Sequence, residues 1–257
     1  MRRPLLAFAL ALLASLATAA PARAGEVEDT RADEAGRVLA EILRIREESI
    51  PEKLLGEAEA IAVIPNVVKL GFVVGGRRGR GLIAVRGADG TWTNPSFLTL
   101  TGGSVGFQAG VQSADIVLVF RSRRGVDSIV NGKFTLGADA SVAAGPVGRS
   151  AQASTDEQLK AEIYSYSRAR GLFAGVALDG TALRIDNKSN QRVYGEGTTP
   201  RAIFEGRASV PTDAVVRFRD ALEEATNKNG AAAAPAAAPV TTEATQPAPA
   251  ETLPIED

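Results

Sequence analysis

From Asp33 to Ile50 the apolar residues Ala35, Val38, Leu39, Ile42 and Ile45 recur at helical spacing, and Glu and Arg fill the positions between them. The segment is predicted to be an amphipathic helix whose stripe packs on a core. Pro51 then suits the first turn of a second short helix, Glu52 to Ala60. After that the period shortens. Ala60–Ile64, Leu70–Val74 and Leu82–Arg86 are short runs rich in β-branched residues, separated by Pro65-Asn66 and by the run Gly75-Gly76-Arg77-Arg78-Gly79-Arg80-Gly81. They read as strands joined by turns, the second a flexible glycine-arginine hairpin loop. Strands are also predicted over Phe97–Thr101, Val105–Gln112 and Ile116–Arg121, and Gly102, Gly103, Gly106 and Gly110 among them point to a curved sheet.

Farther along, Asp127–Gly132 reads as a helical turn, and Gly137–Gly145 and Gln152–Ala153 as strands. Ile163–Arg168, Leu172–Leu178 and Thr181–Ile185 read as a closing meander with Asp179-Gly180 as a hairpin turn. Asp186–Gly195 is an irregular segment or short helix ending at Tyr194, and Pro211–Ala225 is an amphipathic helix displaying Val215, Phe218 and Leu222. The expected fold is a single α+β domain over residues 25–228: a helical lead-in (33–60), a β-rich body (61–210) and a C-terminal helix (211–226). Its mainly antiparallel sheet is curved or barrel-like, flanked by the N-terminal and C-terminal helices.

The two ends have a different character. Arg2-Arg3, an apolar run from Leu5 to Leu16 and the small-x-small triplet Ala22-Arg23-Ala24 form a signal peptide, residues 1–24, cut after Ala24. The apolar run is too short to span a bilayer. Export to the periplasm or secretion is therefore expected, with peripheral membrane association. Residues 229–257 are rich in Ala, Pro and Thr and carry no aromatic residue, which predicts a disordered tail, either a plain spacer or an envelope tether.

Charge is unevenly distributed. The chain has 29 basic and 30 acidic residues; without the leader's three arginines the basic count is 26 and the formal charge −4. Residues 26–59 hold 11 acidic and 5 basic residues, whereas residues 60–210 hold 11 acidic and 18 basic. A basic body of this kind bears on partners and long-range attraction. There is no His and no Cys in 257 residues. That removes the commonest general base, any disulfide framework and the soft metal ligands.

Motifs that suggest chemistry fail on context. Gly102-Gly103-Ser104-Val105-Gly106 fits the nucleophile-elbow pattern, but the residues after Ser104 are strand-like and no imidazole exists to activate it. Gly79-Arg80-Gly81-Leu82-Ile83-Ala84 imitates a dinucleotide fingerprint, yet a β-branched run follows where that motif needs a helix. Asp115, Asp127, Asp139 and Asp179 are scattered without a metal-loop spacing. No enzyme activity, cofactor, metal or nucleic-acid partner is expected.

Binding chemistry has better candidates. Arg77, Arg78 and Arg80 lie in the glycine-rich run, and Arg121, Arg123 and Arg124 follow a strand. Guanidinium groups suit phosphate through a planar, bidentate donor fork. The plainer alternative is a solvated hairpin tip. The stretch SIPEKLLGEAEAIAVIPNVVKLGFVVGGRRGRGLIAVR, the Gly90-Thr91-Trp92 to Asn94-Pro95-Ser96 turn, GGSVGFQAGVQSADIVLVF and LGADASVAAGPVGR closely resemble the SYLF (Ysc84, DUF500) domain, from about Val38 to about Leu222. The resemblance implies a non-enzymatic phospholipid-binding module. Eukaryotic members are linked to phosphoinositides and some to actin, and bacterial members are typically exported. With its leader and no SH3 or FYVE-type companion domain within these residues, actin is not expected as a partner. The expectation is an anionic phospholipid membrane surface contacted by Lys69, Arg77, Arg78, Arg80, Arg121, Arg123 and Arg124. The alternative is an envelope protein or anionic polymer as partner.

Overall fold

The computed structural model describes residues 25–44, 50–71, 74–105, 110–147, 160–169 and 172–231. The predicted leader, the proposed strand at 152–153 and the tail beyond 231 lie outside them. Six helices are described: α1 (Glu26–Arg44), α2 (Glu52–Gly56), α3 (Arg123–Val130), α4 (Asn187–Tyr194), α5 (Pro200–Phe204) and α6 (Asp213–Ala231). The strands are β1 (Ala60–Gly71), β2 (Val74–Val85), β3 (Ser96–Val105), β4 (Gly110–Phe120), β5 (Lys133–Thr135), β6 (Val142–Ala144), β7 (Ile163–Ala169), β8 (Leu172–Gly175) and β9 (Ala182–Ile185). They form one curled sheet in the order β5-β9-β3-β2-β1-β4-β7-β6, with β8 also on β7, and every pair is antiparallel except β6 with β7. The expected α+β architecture is the one observed.

The central strands are buried on both faces. Ile61, Val63, Leu82, Ala84, Val117 and Val119 pack under α1, α2, α4 and α6. Ala60, Ala62, Ile64, Ile83, Leu118 and Phe120 face a second core with Val126, Ile129, Phe134 and Leu178. This is why Ala60–Ile64 is a continuous apolar run. The stripe of α1 (Ala32, Ala35, Val38, Leu39, Ile42) is fully packed in the first core. Its polar face is pinned to the body: the buried Glu28 carboxylate accepts from Ser189 Oγ at 2.9 Å and from Arg192 at 2.8 Å, and Asp33 pairs with Arg217 at 2.8 Å.

Two turn expectations are corrected. Pro65-Asn66 does not end a strand; β1 runs through it as a bulge, with the register slipping between Ile64 and Val67. Asn66 takes the left-handed conformation (φ +50°) and its N–H donates to Asp115 Oδ1 at 3.0 Å. The glycine-arginine run is likewise no loop: Gly75–Gly81 lie inside β2, paired with β3 throughout and with β1 up to Arg78, before the bulge interrupts that register. The glycines are there because β1 presses on β2 where it bulges. A Cβ on Gly81 would stand 2.1 Å from the Val63 carbonyl oxygen, and one on Gly79 would stand 2.6 Å from methyl groups of Ile64 and Val67.

Smaller corrections follow the same logic. Asp179-Gly180 is a turn (Gly180 φ +72°) but not a hairpin, since β8 pairs with β7 and β9 with β3. The first helix begins at Glu26 rather than Asp33, and α3 begins at Arg123 rather than Asp127. The last helix continues to Ala231, past the expected end. The short α5, opened by Thr199 capping the Ala202 N–H and by Pro200, was not anticipated.

Candidate ligand-binding site

Because β2 is a strand, its arginines alternate between faces. Arg78 and Arg80 project with Leu82 toward the helical layer, beside Arg31 and Glu34 of α1. Arg77 projects the other way, toward the second core. The register sets Arg77 directly opposite Lys69 on β1, and Lys69 opposite Gln112 on β4. Sequence reading grouped these residues as one loop cluster; strand pairing splits them and joins Lys69 to Arg77.

Lys69 and Arg77 stand at a cavity of about 560 Å³ that crosses β2, β1, β4 and β7. Val67, Ala114, Ile116, Ala169 and Val176 give it an apolar lining, Gln112 and Ser167 add polar groups, and no carboxylate lines it among the described residues. Like charges directly opposite on neighbouring strands repel. Neither cation has an ion-pair partner among the described residues. Arg77 Nη1 reaches only the Ala177 carbonyl, at 3.5 Å, and its Nε is buried without an acceptor. Burial pulls the Arg77 pKa below the ordinary guanidinium value. Thr181, fully buried with Oγ1 unpartnered, stands against Gly102, the residue across from Arg77. Two unneutralised cations and unmet polar groups over apolar walls suit an anionic group attached to an aliphatic portion.

The second arginine cluster is elsewhere. At the opposite end of the strands Arg121 pairs with Glu57 at 3.0 Å and Arg123 with Glu59 at 3.2 Å, and Arg123 also reaches the Arg86 carbonyl. Arg124 is exposed in the first turn of α3. These three do not converge with Lys69 and Arg77. Ser104 lies on β3 opposite Gly75 of β2, one pair from the end of the ladder.

Residues 101–225 match the Ysc84 family model, described as "Las17-binding protein actin regulator". Protein YSC84 of Saccharomyces cerevisiae is 39% identical over 165 residues, covering 63% of this chain and 35% of that protein. The chain carries a SYLF (Ysc84) domain. LAS seventeen-binding protein 3 of the same yeast is 36% identical over 173 residues (66% of this chain, 38% of the relative). Human SH3 domain-containing YSC84-like protein 1 is 31% identical over 191 residues (72% and 56%). The chain thus spans between about a third and just over half of the length of these relatives. The SYLF relatives are named for binding and regulation rather than for catalysis.

The apolar lining and the polar contributors Gln112 and Ser167 escaped sequence reading. The signal was the two-residue alternation Val67-x-Lys69 facing Gln112-x-Ala114-x-Ile116. It becomes visible only once β1 is taken through Pro65-Asn66 as a single strand.

Proposed function

We propose that this SYLF-domain chain is a non-enzymatic, exported binder of anionic phospholipid, acting in the periplasm or after secretion at a membrane surface. The observation that carries the reading is the Lys69–Arg77 pair, two cations without counter-charge set side by side over an apolar cavity. A headgroup phosphate bridges the two side chains by charge-assisted hydrogen bonds, and the first part of the acyl chain lies along Val67, Ile116 and Val176. Arg78 and Arg80, exposed on the other face of β2, add long-range attraction. Arg121 and Arg123, held by Glu57 and Glu59, contribute little.

The test is co-sedimentation with phosphatidylcholine vesicles with and without phosphatidylglycerol, across ionic strength. Binding should require the anionic lipid, weaken with salt, and be lost in Lys69→Ala/Arg77→Ala. Binding unchanged in that variant refutes the site. Export is tested by N-terminal sequencing of the mature protein from the periplasmic fraction, where residue 25 should be first.

A second reading, a protein partner, is favoured by the names of the relatives, which record Las17 binding and SH3 content. Capture of an envelope protein by a chain that ignores all vesicles would support it.

A further inference from the structure

The strands have two chemically different halves. At one end they are covered on both faces and edged by acids such as Glu57, Glu59, Asp127 and Glu162. The other end comprises residues 67–71 of β1, 74–81 of β2, 99–105 of β3, 110–114 of β4, 167–169 of β7 and all of β8. These segments contain no Asp or Glu, but they contain Lys69, Arg77, Arg78, Arg80 and Arg168. The acids at the boundary are engaged or set apart: Asp115 accepts from Asn66 N–H and lies 3.6 Å from Arg168, Glu41 pairs with Arg168, Glu34 accepts from Asn66 Nδ2, and Asp179 stands beside Gly137.

The same end exposes aliphatic side chains. Among the described residues four large apolar side chains are exposed, and two of them, Leu70 (53%) and Leu172 (71%), are here. Leu70 is the penultimate residue of β1, just before the hairpin to β2, and Leu172 is the first residue of β8, just after the hairpin from β7. They project on opposite faces. Leu70 lies on the helical-layer side, alternate to Lys69, and Leu172 shares a side with Ala169 at the cavity. Aliphatic groups on both faces of one basic, acid-free rim do not suit a single flat protein partner. They suit a medium that surrounds the rim.

We infer that the domain stands on an anionic bilayer by this end of its sheet, with the strands steeply inclined to the surface. Leu70 and Leu172 dip into the interfacial region and the surrounding cations lie at headgroup level. This rests on the phospholipid reading above and adds its geometry: the cavity opens at the membrane, so a lipid can enter it without crossing water. α1 takes no part, because its stripe is already packed in the core.

The test combines two ligands and one optical probe. Leu70→Ser/Leu172→Ser, checked for native thermal unfolding, is assayed against phosphatidylglycerol-containing vesicles and against monomeric short-chain phosphatidylglycerol. Vesicle partition should fall by roughly tenfold or more, since burying a Leu side chain is worth about 1.5–3 kcal/mol. Binding of the monomeric lipid should persist. Lys69→Ala/Arg77→Ala should lose both. Vesicle binding unchanged in the leucine variant overturns the docking geometry while leaving the lipid site intact, and equal loss of both ligands overturns it too. A wild-type chain that binds neither ligand overturns the phospholipid reading itself. Independently, Trp at position 172 (Leu172→Trp) should be quenched by lipids brominated on the acyl chain, while the buried native Trp92 is not. Absence of quenching on bound vesicles contradicts the inference.

Discussion

Arg77→Met separates a structural role for this side chain from a ligand-binding one, because the two roles predict opposite signs of stability change. In the free protein Arg77 sits opposite Lys69, its Nε is buried without an acceptor, and its one hydrogen bond, to the Ala177 carbonyl, is long at 3.5 Å. Methionine keeps most of the aliphatic stem and removes the charge. Relief of a directly opposed like-charge pair is worth about 0.2–1 kcal/mol, and partial exposure argues for about 0.5 kcal/mol. With a urea slope of about 2 kcal/mol/M, the unfolding midpoint should rise by about 0.2–0.3 M. Affinity should move the other way: a hydrogen bond to a charged group is worth about 1.5–3 kcal/mol, so binding to anionic vesicles should weaken roughly 10- to 150-fold. Urea unfolding followed by Trp92 emission gives the first quantity and vesicle flotation the second. A variant that is less stable by 1 kcal/mol or more, and binds as before, would show that Arg77 serves the fold and would refute the reasoning.

Other consequences can be measured on the same footing. Gly81→Ala places a Cβ against the backbone of Val63 and Ile64, which cannot move aside as a side chain can, so a loss of about 1–3 kcal/mol or more in urea unfolding is expected. Arg121→Ala/Arg123→Ala removes two partly exposed ion pairs, each worth about 0.2–1 kcal/mol, and should leave vesicle binding unchanged; a loss of binding would move the site to that end. Burial raises the phenol pKa values of Tyr166 and Tyr194, the former helped by Tyr164. The unfolded chain ionises these groups from about pH 10 while the folded chain does not. Their contribution to stability is therefore complete below that pH and lost as pH climbs toward the folded values. Urea midpoints should fall between about pH 9 and 11, less so in Tyr166→Phe; a flat profile would contradict the assignment.

The helices and the apolar strand cores were legible because periodicity and burial agree there: Val38, Leu39 and Ile42 at helical spacing are core, and Ala60–Ile64 is a strand covered on both faces. What misled was glycine. Gly75–Gly81 carries the same letters as a flexible loop, but its glycines answer a neighbouring strand that bulges at Pro65-Asn66, a contact between residues far enough apart that no local pattern reports it. The consequence reached the site. A loop would have gathered Arg77, Arg78 and Arg80 into one cluster, whereas a strand sends Arg77 to one face and Arg78 and Arg80 to the other. Lys69, eight residues before Arg77 in the chain, comes to stand directly opposite it through register alone. The pairing of Arg121 with Glu57 and of Arg123 with Glu59 was hidden for a related reason, since the partners come from a distant part of the chain.

The central claim is that an anionic lipid occupies the cavity beneath Lys69 and Arg77, and methyl-detected NMR with a monomeric short-chain phosphatidylglycerol tests it most directly. The account predicts saturable shifts of the methyl groups of Val67, Ala114, Ile116, Ala169 and Val176, abolished in Lys69→Ala/Arg77→Ala. Shifts confined to the far end of the sheet around Val126 and Val130, or none at saturating lipid, would contradict it.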